Sequence, residues 1–130
     1  MVVFVCEHGA AKSVVAAAWL QRLAAEAQLD LSAMARGTGP SAELSPMAVA
    51  GLIRDGIETE ETTPQPLRQE DLADAWRVVG FAPEVTGDAA PDTDIELWTV
   101  PAVSDGYESA RNAIVARLKA LLDDAARTRD

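Results

Sequence analysis

Basic residues are scarce in this chain. Eleven lysines and arginines stand against twenty-one aspartates and glutamates, a formal charge of −10 over 130 residues. No basic stripe is available to displace counterions from a phosphate backbone, which argues against nucleic acid as a partner. Cysteine occurs once, at Cys6. An internal disulfide is therefore impossible, as is any mechanism that resolves an oxidised thiol with a second cysteine of the same chain. Histidine also occurs once, at His8, so no cluster with metal-ligand spacing exists and the sequence calls for no metal or other cofactor. Aromatic residues make up only 5%. No apolar run approaches the ~20 residues that span a bilayer, which leaves no role for a membrane. The N-terminus lacks the basic flank and long apolar segment of a signal peptide, so the expected compartment is the cytoplasm.

What is present suits one globular domain over residues 1–130. Apolar residues make up 48% and charged residues 25%, and mean hydropathy is +0.01, values ordinary for a soluble fold with a real core. Residues 1–6 form an apolar, β-branched run without alternation, as in a parallel strand covered on both faces. From Ser13 the spacing is helical, with Val15, Trp19 and Leu23 on one face beside Ala16, Leu20 and Ala27. Residues 29–35 alternate and read as a second strand. Ser45-Pro46 reads as a cap with proline at the first helical position, opening a helix that Asp55-Gly56 closes. Prolines 64 and 66 make residues 62–66 an extended connector. Residues 67–75 read as a short acidic helix, 76–81 as a third strand, 82–94 as a surface loop and 95–100 as a fourth strand. Asp105 with Glu108 resembles a capping box for a terminal helix that buries Ala110, Ile114, Leu118 and Leu121. The acidic runs at 58–61, 70–74 and 84–96 read as solvated faces. The βαβ order implies an α/β three-layer sandwich with a short parallel sheet.

The chemistry concentrates in Cys6-Glu7-His8-Gly9-Ala10-Ala11-Lys12-Ser13. A strand that runs through small residues into a helix start forms an anion cradle, because loop amides and the free N–H groups of the first helical turn converge on one point. A thiol at the floor of such a cradle is a nucleophile aimed at the oxyanion it holds. Gly9, Ala10 and Ala11 let the backbone approach an anion closely. The amides of residues 7–12 supply donors, and Ser13 lies where its hydroxyl can donate to the sulfur. Lys12 supplies charge as a point, without the planar fork of arginine. Glu7 is expected to point to solvent, and His8 either donates to the oxyanion or stays at the loop surface. The carboxyl ends of parallel strands, where Cys6 sits, are where such folds bind ligands.

On these residues the chain resembles the low-molecular-weight protein tyrosine phosphatases and their arsenate reductase relatives, which carry Cys-x5-Arg-Ser after the first strand. The likeness continues through Arg36-Gly37-Thr38, the helix from Ser45-Pro46, residues 66–74, Trp98 and the terminal helix with Arg111. It implies a four-stranded parallel sheet of order 2-1-3-4 and a phosphate-binding loop with a cysteine nucleophile. Three positions depart from the family pattern. Lys12 replaces the arginine, Gly9 stands where an asparagine usually orders the loop, and Ala102-Val103 aligns with the Asp-Pro pair that carries the general acid. Asp105, three residues on, is either a substitute acid or the helix cap.

The leading expectation is a hydrolase of phosphomonoesters acting through a Cys6-phosphoryl intermediate, with weak turnover. Its catalytic set is Cys6, Lys12, Ser13 and Asp105, and its anion-binding set runs from Glu7 to Ser13. The alternatives are an arsenate reductase-like enzyme whose adduct an external thiol resolves, and a non-catalytic oxyanion- or phosphoprotein-binding module. The partners implied are phosphate, arsenate or a phosphorylated substrate, with an external thiol reductant in the second case. Trp19, Trp76 and Trp98 fall on core-type patterns. Tyr107 either lines the site near Asp105 or covers the last helix.

Overall fold

The computed structural model describes residues 1–59 and 63–128, the last by its backbone alone. The apolar run at the N-terminus forms β1 (Val2–Cys6), every residue of it buried. It lies at the centre of a four-stranded parallel sheet of order β2-β1-β3-β4. The neighbours are β2 (Ala33–Gly37), β3 (Arg77–Phe81) and β4 (Ile95–Trp98). Cys6 stands beside Gly37 on one flank, and Val5 beside Gly80 on the other.

Because side chains alternate across a strand, β1 feeds two cores. Val2, Phe4 and Cys6 join the larger one, with residues of α1 (Lys12–Glu26), α2 (Pro46–Arg54) and α4 (Tyr107–Thr128). Val3 and Val5 join Val78 and Val85 on the opposite face, where Leu67, Leu72 and Ala75 pack around α3 (Gln69–Ala73). Helices on both faces of a parallel sheet make the expected three layers. Phe4, Phe81 and Trp98 meet with ring centroids 5.9–6.4 Å apart. These rings anchor the three strands whose ends carry the site.

The first turns of α1 are buried nearly all round, from Ser13 to Ala18, which explains their run of small residues. Ser45 caps α2 by accepting from the Ala48 amide at 3.3 Å, with Pro46 at the first helical position. Gly56, at φ +75°, ends it. Ala110, Ile114, Leu118 and Leu121 are buried along α4 as their spacing predicts.

Several expectations are corrected. The second strand starts at Ala33 and not at Leu29. The Leu29 amide instead donates to the Ala24 carbonyl at 2.8 Å and closes α1, so the alternation at 29–31 reflects two leucines packing on the core at a helix exit. Ala27 lies beyond the helix and is exposed. The fourth strand stops at Trp98, and the short acidic helix spans only Gln69–Ala73. Asp71 is not part of a solvated face. It is 8% exposed and bonds Arg36 Nε at 3.0 Å, tying α3 to β2. Trp76 is exposed because it precedes β3 at the sheet's rim, where its ring carries the Arg77 guanidinium at 4.7 Å. Asp105 does not cap the terminal helix. It ends a 3₁₀ turn (Val103–Asp105), and Gly106 separates that turn from α4. Within the acidic run at 58–61 and the connector from 62, residues 60–62 lie outside the described residues.

Candidate active site

The chain leaves β1 at Cys6 and enters α1 at Lys12, and the five residues between them wrap around the end of the strand. Cys6 is 8% exposed and its Sγ lies 2.9 Å from the Oγ of Ser13, which is fully buried in the first turn of α1. A hydroxyl on the sulfur at that distance is placed to donate to a thiolate.

The carbonyl groups of the loop are turned outward. Those of Cys6, Glu7, His8 and Ala10 accept from the amides of Thr38, Gly39, Ser41 and Ser45 at 3.1, 2.7, 3.0 and 2.9 Å. With the carbonyls committed to the segment after β2, the amides of Glu7 to Ala11 make no backbone bond among the described residues. They stay available at the N-terminus of a fifteen-residue helix that has no side-chain cap. Unpaired amides at the positive end of a helix dipole bind oxyanions.

Gly9 organises this geometry. Its φ is +63°, and a Cβ there would stand 2.8 Å from the Gly37 amide nitrogen. A Cβ at Gly37 would in turn stand 2.7 Å from the Gly9 nitrogen. Two glycines in backbone contact therefore seat the loop against β2. The order of the loop comes from conformation and close approach.

The loop opens into a cavity of about 660 Å³. Cys6, Glu7, His8, Ala10, Ala11 and Lys12 line its floor. Ser41, Ala42, Glu43, Leu44, Ser45 and Pro46 form the wall beyond β2. Phe81 ends β3 and Glu84 follows it, and Ala102, Val103 and Ser104 come from beyond β4. Gly9 and Ser13 do not reach the cavity; they act from behind the loop. Glu7 and His8 are surface residues with 3.9 Å between Glu7 Oε2 and His8 Nε2. Asp105 is exposed and absent from the cavity wall, because the turn that ends at Asp105 presents Val103 and Ser104 to the cavity instead.

Tyr107 does not line the site. It is 4% exposed, its hydroxyl donates to Asp55 Oδ2 at 2.7 Å and accepts from Trp19 Nε1 at 3.2 Å. Burial and the Asp55 carboxylate push its ionisation up to about 12. Arg111 completes the group by bonding Asp55 at 2.9 and 3.2 Å. Sequence reasoning missed Glu43, Phe81 and Glu84. The available signal was position alone, since each ends or follows a strand whose carboxyl end faces the cavity.

A family model described as low molecular weight phosphotyrosine protein phosphatase matches residues 1–96. No curated protein sequence matches the chain significantly. Among solved structures, YfkJ from Bacillus subtilis superposes with a TM-score of 0.86 at 20% identity, over 99% of this chain and 96% of that one. A low molecular weight protein tyrosine phosphatase from Bacillus subtilis, solved in solution, gives 0.84 at 19% identity over 99% of both chains. The arsenate reductase of Archaeoglobus fulgidus DSM 4304 gives 0.76 at 22% identity, covering 95% of this chain and 99% of that one. With a cysteine at the end of β1, a parallel sheet of order β2-β1-β3-β4 and a family match across residues 1–96, the chain belongs to the low molecular weight phosphotyrosine protein phosphatase family.

Proposed function

We propose that this protein hydrolyses phosphomonoesters through a phosphoryl group carried transiently on Cys6, with low turnover. The observation that carries the reading is the set of unpaired amides around a cysteine whose sulfur has a buried hydroxyl at 2.9 Å. In the first step the thiolate attacks phosphorus, the loop amides and Lys12 hold the oxygens, and the alcohol leaves with a proton. In the second, water displaces phosphate and regenerates the thiolate. Lys12 neutralises charge without clamping two oxygens at once, which limits stabilisation of the transition state. A cytoplasmic setting, where a lone cysteine stays reduced, suits this chemistry.

The test is hydrolysis of p-nitrophenyl phosphate by wild type and Cys6→Ser. Turnover that disappears in Cys6→Ser, and falls about 10²-fold or more in Lys12→Ala, supports the reading. Equal background rates in wild type and Cys6→Ser remove it.

Arsenate reduction is the second reading, motivated by the single cysteine and the structural likeness to an arsenate reductase. Cys6 would attack arsenate with loss of water. An external thiol would then attack the Cys6 sulfur, releasing arsenite and leaving a mixed disulfide, so that two thiols supply the two electrons. Arsenate-dependent consumption of glutathione or mycothiol identifies this reaction. A protein that binds phosphate and turns over neither substrate is the non-catalytic binding module.

A further inference from the structure

Cleavage of a phosphomonoester requires a proton for the departing oxygen, yet the wall beyond β4 offers Ala102, Val103 and Ser104 and no carboxyl group. Three carboxylates do line the cavity: Glu7, Glu43 and Glu84. Glu7 belongs to the cradle itself and its side chain faces His8. Glu43 and Glu84 come from opposite sides of the loop, since β2 and β3 flank β1.

Register separates these two. Val5 pairs with Gly80, so Cys6 and Phe81 are the next residues on adjoining strands, about 4.8 Å apart in such a sheet. Glu84 follows Phe81 by three residues within a turn closed by the Val85 amide on the Phe81 carbonyl at 3.1 Å. That turn is held on both sides. The Ala82 amide donates to the Trp98 carbonyl at 2.9 Å, and Val85, 1% exposed, packs against the bare backbone of Gly80. Glu43 lies on the other side of the loop, between Ser41 and Ser45, whose amides bond the His8 and Ala10 carbonyls at 3.0 and 2.9 Å.

We propose that Glu84 is the proton donor to the leaving oxygen, acting from the loop after β3 because the cavity wall after β4 carries no carboxyl group. The assignment rests on the phosphatase reading above. As the Cys6 thiolate forms the S–P bond, the P–O bond to the alcohol breaks, its electron pair stays on the leaving oxygen, and the Glu84 carboxyl supplies the proton. The resulting Glu84 carboxylate then takes a proton from the water that attacks phosphorus, and the S–P bond breaks to return the thiolate and free phosphate.

The experiment compares aryl phosphates whose phenols differ in acidity, using wild type, Cys6→Ser, Glu84→Gln, Glu43→Gln and Asp88→Asn. Loss of a general acid slows poor leaving groups and spares good ones. In Glu84→Gln, kcat/KM for phenyl phosphate should fall about 10²-fold, and that for 2,4-dinitrophenyl phosphate less than about threefold. Glu43→Gln should keep the wild-type dependence on the leaving group. Asp88→Asn, on the same β3–β4 connection and outside the cavity, should keep both rates. Cys6-dependent turnover with an unchanged leaving-group dependence in Glu84→Gln, or a loss equal for all phenols, overturns the assignment and leaves the phosphatase reading standing. Equal rates in wild type and Cys6→Ser overturn both.

Discussion

Two residues decide whether the cradle can exist and how firmly it grips. Gly9 combines a left-handed φ with a backbone contact that has no room for a side chain. Gly9→Ala should therefore destabilise the protein by about 1–3 kcal/mol and weaken phosphate binding, because the loop must back away from Gly37 to fit the methyl group. Urea denaturation and phosphate titration calorimetry check the two effects separately. Lys12 sits at the first position of α1 and lines the cavity. Arginine in its place presents two parallel charge-assisted donors in a planar fork, so Lys12→Arg should tighten phosphate about tenfold, read as the inhibition constant or by calorimetry. An unchanged affinity would place the Lys12 side chain off the bound anion.

At the scale of elements, α2 and α4 cross where Gly51 meets Tyr107. A Cβ at Gly51 would come within 2.2–2.4 Å of the tyrosine ring. Alanine is the better helix former, yet Gly51→Ala should cost about 3 kcal/mol by urea unfolding, since the ring is held by Asp55 and Trp19 and has nowhere to move. The same tyrosine couples this junction to pH. Its hydroxyl ionises at about 12 in the fold and near 10 in a free chain. Between those values the unfolded chain holds fewer protons, so stability falls as pH rises from about 10 to 12. The urea midpoint of wild type should drop across that window. Tyr107→Phe, less stable at neutral pH for want of the two hydrogen bonds, should drop less steeply there.

For the whole molecule, the charge of −10 sets the approach of any anionic substrate. In the proposed reading the cradle attracts locally through amides and Lys12, whereas the net charge of the protein repels. Raising ionic strength from about 0.01 to 0.15 M shortens the screening length from about 30 to 8 Å. Phosphate should accordingly bind more tightly across that range, opposite to the response of a basic site. Weaker binding with added salt would mean that Lys12 dominates the field at the cavity.

Much of the fold is written locally. An unbroken β-branched run at residues 2–6, small residues leading into a helical period, a serine–proline start for α2 and a 3.6-residue repeat along α4 each name an element from neighbours in the chain. Their order demands a parallel sheet, and Cys6 with Ser13 marks the floor of the cradle in the sequence itself. Tertiary structure decided what depends on residues far apart. The segment after β2 turns the loop carbonyls outward, and Gly37 makes Gly9 indispensable. Asp71 is buried because Arg36 meets it across thirty-five residues. Asp105, the carboxylate nearest in sequence to Ala102, lies outside the cavity, whereas Glu84 lies on its wall. Sequence proximity to a motif does not govern which side chains share a pocket. The sheet order governs it, because β2, β1, β3 and β4 bring four loops to one edge, and that order results from long-range burial that no local window contains.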